Sequence, residues 1–96
     1  MNPDTPAASH PVRLERPADL GALVKTRRRE QSLRIDDAAA LSGVSVDLLS
    51  RLENGKGSVR FDKLLAVLDG LGLAVVVGPK DHPFLQPPPP AHTKRA

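Results

Sequence analysis

Segments with helical apolar spacing alternate with short polar breaks along the middle of the chain, and the pattern predicts four helices. Leu20, Leu23, Val24 and the aliphatic stem of Arg27 recur at i, i+3, i+4 and i+7, the spacing of one buried helix face. Pro17 suits the first helical position, where its missing N–H costs nothing, so this helix runs from Pro17 to about Gln31. Basic residues gather in its last turn and complement the helix dipole. A second helix is predicted over residues 35–42. Asp36 and Asp37 open it, and Gly43 closes it by taking the left-handed conformation at low cost. Ser45 is a good N-cap for a third helix over residues 46–53, with Leu48, Leu49 and Leu52 as its apolar side. Asn54-Gly55 ends it and residues 54–60 form a loop. A fourth helix runs from about Phe61 to Leu71, with Phe61, Leu64, Leu65, Leu68 and Leu71 at 3–4 spacing and Gly72 as its stop.

The pattern then changes. Leu73, Ala74, Val75, Val76 and Val77 are apolar without helical spacing, and three consecutive valines before Gly78-Pro79 are β-prone. This is the one convincing strand, and a lone strand leaves its backbone groups unpaired. The cheapest partner is a second copy of the same chain. The fold class expected is therefore mainly α: four helices with one C-terminal β-strand pairing across a homodimer. Residues 1–16 carry Pro3, Pro6 and Pro11 and read as flexible, with a short extended piece at 12–15. Residues 17–78 form the domain. Residues 79–96, with Pro87 to Pro90 in a row, read as a disordered tail that is partly polyproline.

Composition narrows the picture. A chain of 96 residues makes one small domain, and a lone core of that size is marginal. There is no Cys, which removes a disulfide framework, thiolate catalysis and cysteine-based zinc sites and fits a reducing compartment. No secretory h-region and no membrane-length apolar run is present, so a cytoplasmic location without membrane partners is expected. The net charge is +3. Lys25, Arg27, Arg28, Arg29, Arg34, Arg51, Lys56, Arg60 and Lys63 concentrate in the predicted helical region, and such a surface suits nucleic acid or an acidic partner.

Several chemical signals dissolve on inspection. Asp36-Asp37 reads as a helix start, since no third ligand or base accompanies it. The GKGS of residues 55–58 lacks the first glycine of a phosphate-binding loop and no strand precedes it. His10, His82 and His92 lie in predicted tails, and Ser45, Ser50 and Ser58 lack a base. No enzyme, metal or cofactor is expected.

The stretch LRIDDAAALSGVSVDLLSRLENG, residues 33–55, carries a resemblance. Residues 20–72 resemble the Cro/repressor-type helix-turn-helix group, the XRE family: Ala39 stands where the two helices touch, Gly43 at the turn, Val44, Leu49 and Leu52 at buried positions, and SRLENG at the end of the recognition helix. FDKLLAVLDGLGLAVVV, residues 61–77, is similar to the HipB antitoxin subgroup, in which a strand follows the last helix and pairs across a homodimer. The resemblance implies a four-helix repressor-like helix-turn-helix domain and a sequence-specific dimeric repressor that autoregulates a toxin–antitoxin operon. Its implied partners are double-stranded DNA with an inverted-repeat operator, a second copy of the chain and a HipA-like kinase toxin. It also implies an ion pair between Arg28 and Glu53. Two other readings stay open: a standalone XRE-type regulator, and a protein-binding module whose helix-turn-helix no longer reads DNA.

Departures from the family pattern keep the second of these alive. Ile35 replaces a frequent Gln at the start of the second helix, and Val46 and Asp47 replace common polar base readers. Val46 can meet a thymine methyl, and Asp47 can accept from cytosine N4 or merely stabilise the helix start. Ser50 and Arg51 project on the same side as Val46 and Asp47. The expected base-reading set is thus Val46, Asp47, Ser50 and Arg51, with Arg51 to guanine as its main member. Arg34, Ser45, Lys56 and Arg60 are the expected phosphate contacts.

Overall fold

The computed structural model describes residues 10–85. The polyproline run, His92 and the two chain ends, all part of the sequence reading, lie outside the described residues. Among the described residues four α-helices follow in order, α1 (Pro17–Glu30), α2 (Ile35–Ser42), α3 (Val46–Glu53) and α4 (Phe61–Gly70), and then a 3-10 turn at Pro83–Leu85. α1 packs on α3, and α2 packs on both α3 and α4. Between them Val24, Ala38, Ala39, Leu49, Leu52, Val67, Leu68 and Leu71 form one buried cluster.

Each helix end has a local cause. Asp19 accepts hydrogen bonds from the backbone N–H groups of Glu15 and Arg16, both at 2.9 Å, and satisfies donors left over at the start of α1. These two bonds hold its carboxyl below the usual aspartate range. α2 ends where Gly43 takes φ 72°, and the next residue, Val44, donates back to the Ala39 carbonyl at 3.0 Å. Ser45 Oγ accepts from the Leu48 N–H at 3.0 Å and starts α3. At the far end, Arg27 Nε and Gln31 Nε2 both donate to the Leu71 carbonyl, at 2.9 and 3.1 Å. They tie the end of α1 to the C-cap of α4.

Among the described glycines the tightest approach is at Gly21, where α1 meets the C-terminal end of α3. A Cβ there would collide with the Leu52 carbonyl oxygen and lie 2.8 Å from that of Glu53. Both obstacles are backbone, so α1 could accept a side chain at this position only by moving away from α3.

The structure corrects the expected face of α4. Phe61 is 66% exposed and Leu65 41%, whereas Val67, outside the expected stripe, is fully buried. The apolar surface of α4 is wider than the face it buries. α2 packs against the Val67, Leu68 and Leu71 side, and Leu64 is half-buried at its edge. The helices expected to reach Gln31 and Leu71 stop one residue earlier, with those residues as C-caps.

Residues 73–77 are not helical and have no ladder partner among the described residues. A strand is defined by its ladder, so one chain by itself cannot display the pairing expected of this segment. The segment expected to begin an unstructured tail carries a turn closed by His82 N–H to the Pro79 carbonyl at 3.0 Å, then the 3-10 turn. Arg13 Nη1 reaches the Leu85 carbonyl at 3.3 Å and ties the two ends of the described chain together. No helix among the described residues is long and apolar enough to cross a membrane.

Candidate nucleic-acid interface

α3 divides cleanly into two faces. Leu49, Leu52 and Glu53 are buried. Val46 and Asp47 are exposed, and Ser50 and Arg51 are half-exposed beside them. The helix therefore presents a four-residue surface while its other side is locked into the core.

The lock is an ion pair. Arg28 Nε lies 2.6 Å and Nη2 2.9 Å from the two carboxylate oxygens of Glu53. The side chains are only 11% and 4% exposed. A third donor, Nη1, reaches the Leu33 carbonyl at 2.9 Å, so one guanidinium joins α1, the α1–α2 loop and α3. The hydrogen bonds that Arg28 donates to Glu53 raise its pKa above the ordinary guanidinium value. Both carboxylate oxygens are matched by the fork geometry of arginine, which lysine could not reproduce.

On the outer face a second arginine pairs differently. Arg51 Nε lies 3.2 Å from Asp47 Oδ2 and Nη1 lies 3.3 Å from the Ser58 carbonyl. Asp47 is 83% exposed. A guanidinium has five N–H donors, so three remain: the second on Nη1 and both on Nη2. The two contacts hold Arg51 against the loop that follows α3, where it lies 3.3 Å from the position of a Cβ on Gly57.

The expected phosphate contacts are all exposed. Arg34 pairs with Asp36 at 3.4 Å and Arg60 with Asp62 at 2.9 Å. Lys56 has no ion pair among the described residues, and its backbone N–H is tied to the Arg51 carbonyl at 2.9 Å. Ser45 uses its hydroxyl as the N-cap of α3. The structure thus joins Arg51 with Asp47, but it does not join Arg34 or Arg60 to the α3 group. Sequence reasoning missed the partners of these cations. Residues 34–63 carry five basic and five acidic side chains, one of the latter the buried Glu53, so the surface is nearly balanced where a basic one was expected. The signal was available in the Arg-x-Asp spacing at 34–36 and 60–62 and in the i, i+4 spacing of Asp47 and Arg51. The Ser58 carbonyl contact left no such signal.

The profile of the helix-turn-helix domain family matches residues 19–77. The HTH-type transcriptional regulator y4mF of Sinorhizobium fredii is 43% identical over 63 residues, which cover 66% of this chain and 83% of that protein. An HTH_3 family transcriptional regulator from Vibrio cholerae has the same fold at a TM-score of 0.56 and 28% identity, over 60% of this chain but only 33% of the larger one. A chain of a HipA-HipB-O2-O3 complex superposes with a TM-score of 0.66 over 73% of this chain and 99% of that one, at 17% identity, a likeness of fold alone. The matched residues span all four helices and the split face of α3, and they place this chain in the XRE-type helix-turn-helix family, a family of non-enzymatic, DNA-binding transcriptional regulators.

Proposed function

We propose that this chain is a sequence-specific dimeric repressor of the HipB-like antitoxin type, with α3 as its recognition helix. The observation that carries this reading is the split of α3 into a face locked by Arg28–Glu53 and a free face of Val46, Asp47, Ser50 and Arg51. A rigid helix with one exposed side is the geometry that enters a major groove. Arg51 retains enough donors for a bidentate contact to guanine, and Val46 supplies an apolar contact. Lys56, Arg34 and Arg60 touch phosphates, which position the helix without reading sequence.

The acidic partners do not prevent this. Exposed ion pairs contribute about 0–1 kcal/mol, so exchanging Asp36 or Asp62 for a phosphate costs Arg34 or Arg60 little. The balanced charge does lower non-specific attraction, since that attraction scales with the number of phosphates neutralised. Binding of this kind depends more on fit than on field. The same balance favours a second reading, a protein-binding module that has left DNA.

Homodimerisation through residues 73–77 completes the repressor. It supplies the missing ladder, and it sets two α3 helices about one turn of DNA apart, so the operator is an inverted repeat. The antitoxin role and a HipA-like kinase partner are supported by the similarity of residues 61–77 to the HipB subgroup. A titration on the DNA upstream of the chain's own gene and on a scrambled duplex, at several salt concentrations, tests the DNA reading. Equal affinity for both duplexes sinks it. Co-expression with the neighbouring gene product and copurification of a kinase-like protein tests the antitoxin reading. A pulldown without it leaves a standalone regulator.

A further inference from the structure

Two segments far apart in the chain line one groove of about 830 Å³: residues 10–15 before α1 and residues 73–78 after α4. Leu20 and Leu23 of α1 and Leu68 of α4 contribute to the same groove. The lining is mostly apolar and open to solvent. Val12 and Leu14 are 44% and 43% exposed, Val76 is 63% and Val77 90%. Among the described residues, the backbone N–H and C=O groups of residues 74–77 make no hydrogen bond, and neither do those of Val12 and Leu14. The groove therefore lies between two chain segments that each present unpaired backbone groups, at Val12 and Leu14 on one side and at residues 74–77 on the other.

We infer that this groove seats residues 73–77 of a second copy of the chain, and that residues 12–15 form the outer strand of the sheet so made. The inference rests on the homodimer proposed above and adds the N-terminal segment to its interface. A two-fold axis makes the exchange reciprocal. The strand order is then 12–15 of one copy, 73–77 of the second, 73–77 of the first and 12–15 of the second. Each valine strand gains a ladder on both edges, where a simple strand pair would leave one edge of each open.

Area points the same way. A specific interface covers about 800 Å² per partner. Even a fully buried aromatic side chain covers only about 150–250 Å², and Leu73, Ala74 and three valines are smaller. Leu73 is already half-buried in its own chain. Val12, Leu14 and Phe84 are exposed apolar residues that line the same groove and add to the area of those five. The chain's own residues 86–96 follow Leu85, which lines the groove, but they open with Gln86 and four prolines. Proline has no N–H to give a ladder, so this segment is a poor occupant.

The test measures the dimer dissociation constant of the full chain and of three variants, with circular dichroism to verify that the helices are intact. Leu14 precedes α1 and is outside the core, so Leu14→Glu leaves the helices folded. It should raise the dissociation constant about ten- to a hundredfold, from losing a buried leucine. Val76→Pro should do the same or more, by removing a ladder donor. Deletion of residues 86–96 should change little. With no native Cys, Val12→Cys in one tagged copy and Val76→Cys in another should also cross-link between chains on oxidation. If Val76→Pro weakens the dimer but Leu14→Glu does not, and the 12–76 cross-link is absent, the homodimer stands and the groove inference falls. If the tail deletion tightens the dimer, the tail is the occupant and the inference is overturned. If the wild type is monomeric at micromolar concentration, the homodimer reading itself has failed.

Discussion

α3 carries an arginine–carboxylate pair on each face, and the two pairs differ in every respect except their chemistry. Arg28–Glu53 joins residues 25 apart in the chain and sits in the core. Asp47–Arg51 joins residues four apart and sits in solvent. Burial makes the first pair unable to exchange its partner, because either group alone would be an uncompensated charge in a low-dielectric site. Solvent makes the second pair nearly free to exchange, because water screens it and replaces either partner. A fixed inner face and an exchangeable outer face are what a reading helix requires: the backbone must not move, and the side chains must be able to leave one acceptor for another.

The sharpest way to break this contrast is to strand one member of the inner pair. Glu53→Gln keeps the shape and removes the charge, leaving Arg28 buried with half its fork unsatisfied. The expected loss is about 3–5 kcal/mol of stability, read as a fall in the denaturant midpoint. Gly21→Ala attacks the same face sterically. Its Cβ meets α3 backbone, and overpacking of this kind costs about 1–3 kcal/mol. If both variants melt like the wild type, the inner face is not a lock.

The outer face should answer in binding, not in stability. Arg51→Ala should leave the melting midpoint nearly unchanged and cost about 1–3 kcal/mol per half-site, with relaxed preference at one base pair. An equal loss on operator and scrambled DNA would make Arg51 a phosphate contact. Lys56→Ala should weaken binding to all duplexes alike and lower the salt slope by about one unit. A loss confined to the operator would instead make Lys56 a base reader.

How much of this was legible depends on distance along the chain. The helices were readable because apolar spacing and cap residues are local, and their ends fell within one residue of expectation at Gln31 and Leu71. The buried side of α4 was not, because Leu65 and Val67 are both apolar and only the position of α2 decides between them. Arg28 and Glu53 have no local signature, and their meeting was expected from family resemblance alone. The outer pair had one, at i, i+4, yet the charged surface was read as a sum of cations with their aspartates overlooked. The pairing of residues 73–77 needs a second chain.

The smallest expected effect separates two roles for Asp47. In the structure its carboxylate holds Arg51 Nε at 3.2 Å, so it is a positioning group for the reader, whereas the sequence also allowed it to read cytosine directly. Asp47→Asn removes a negative charge near the phosphates and loosens Arg51 at once. Stability should change by less than about 1 kcal/mol. Affinity for scrambled DNA should rise slightly, because a repelling charge is gone and Arg51 is freed. Affinity for the operator should rise less, because Arg51 must now be ordered on binding. The preference ratio therefore shrinks, and it shrinks only while Arg51 is present. In an Arg51→Ala background the same change should move both duplexes together, which a double-mutant cycle detects as coupling between the two positions. If Asp47→Asn instead narrows the preference equally with and without Arg51, the carboxylate meets the base itself, and the outer pair is two independent readers.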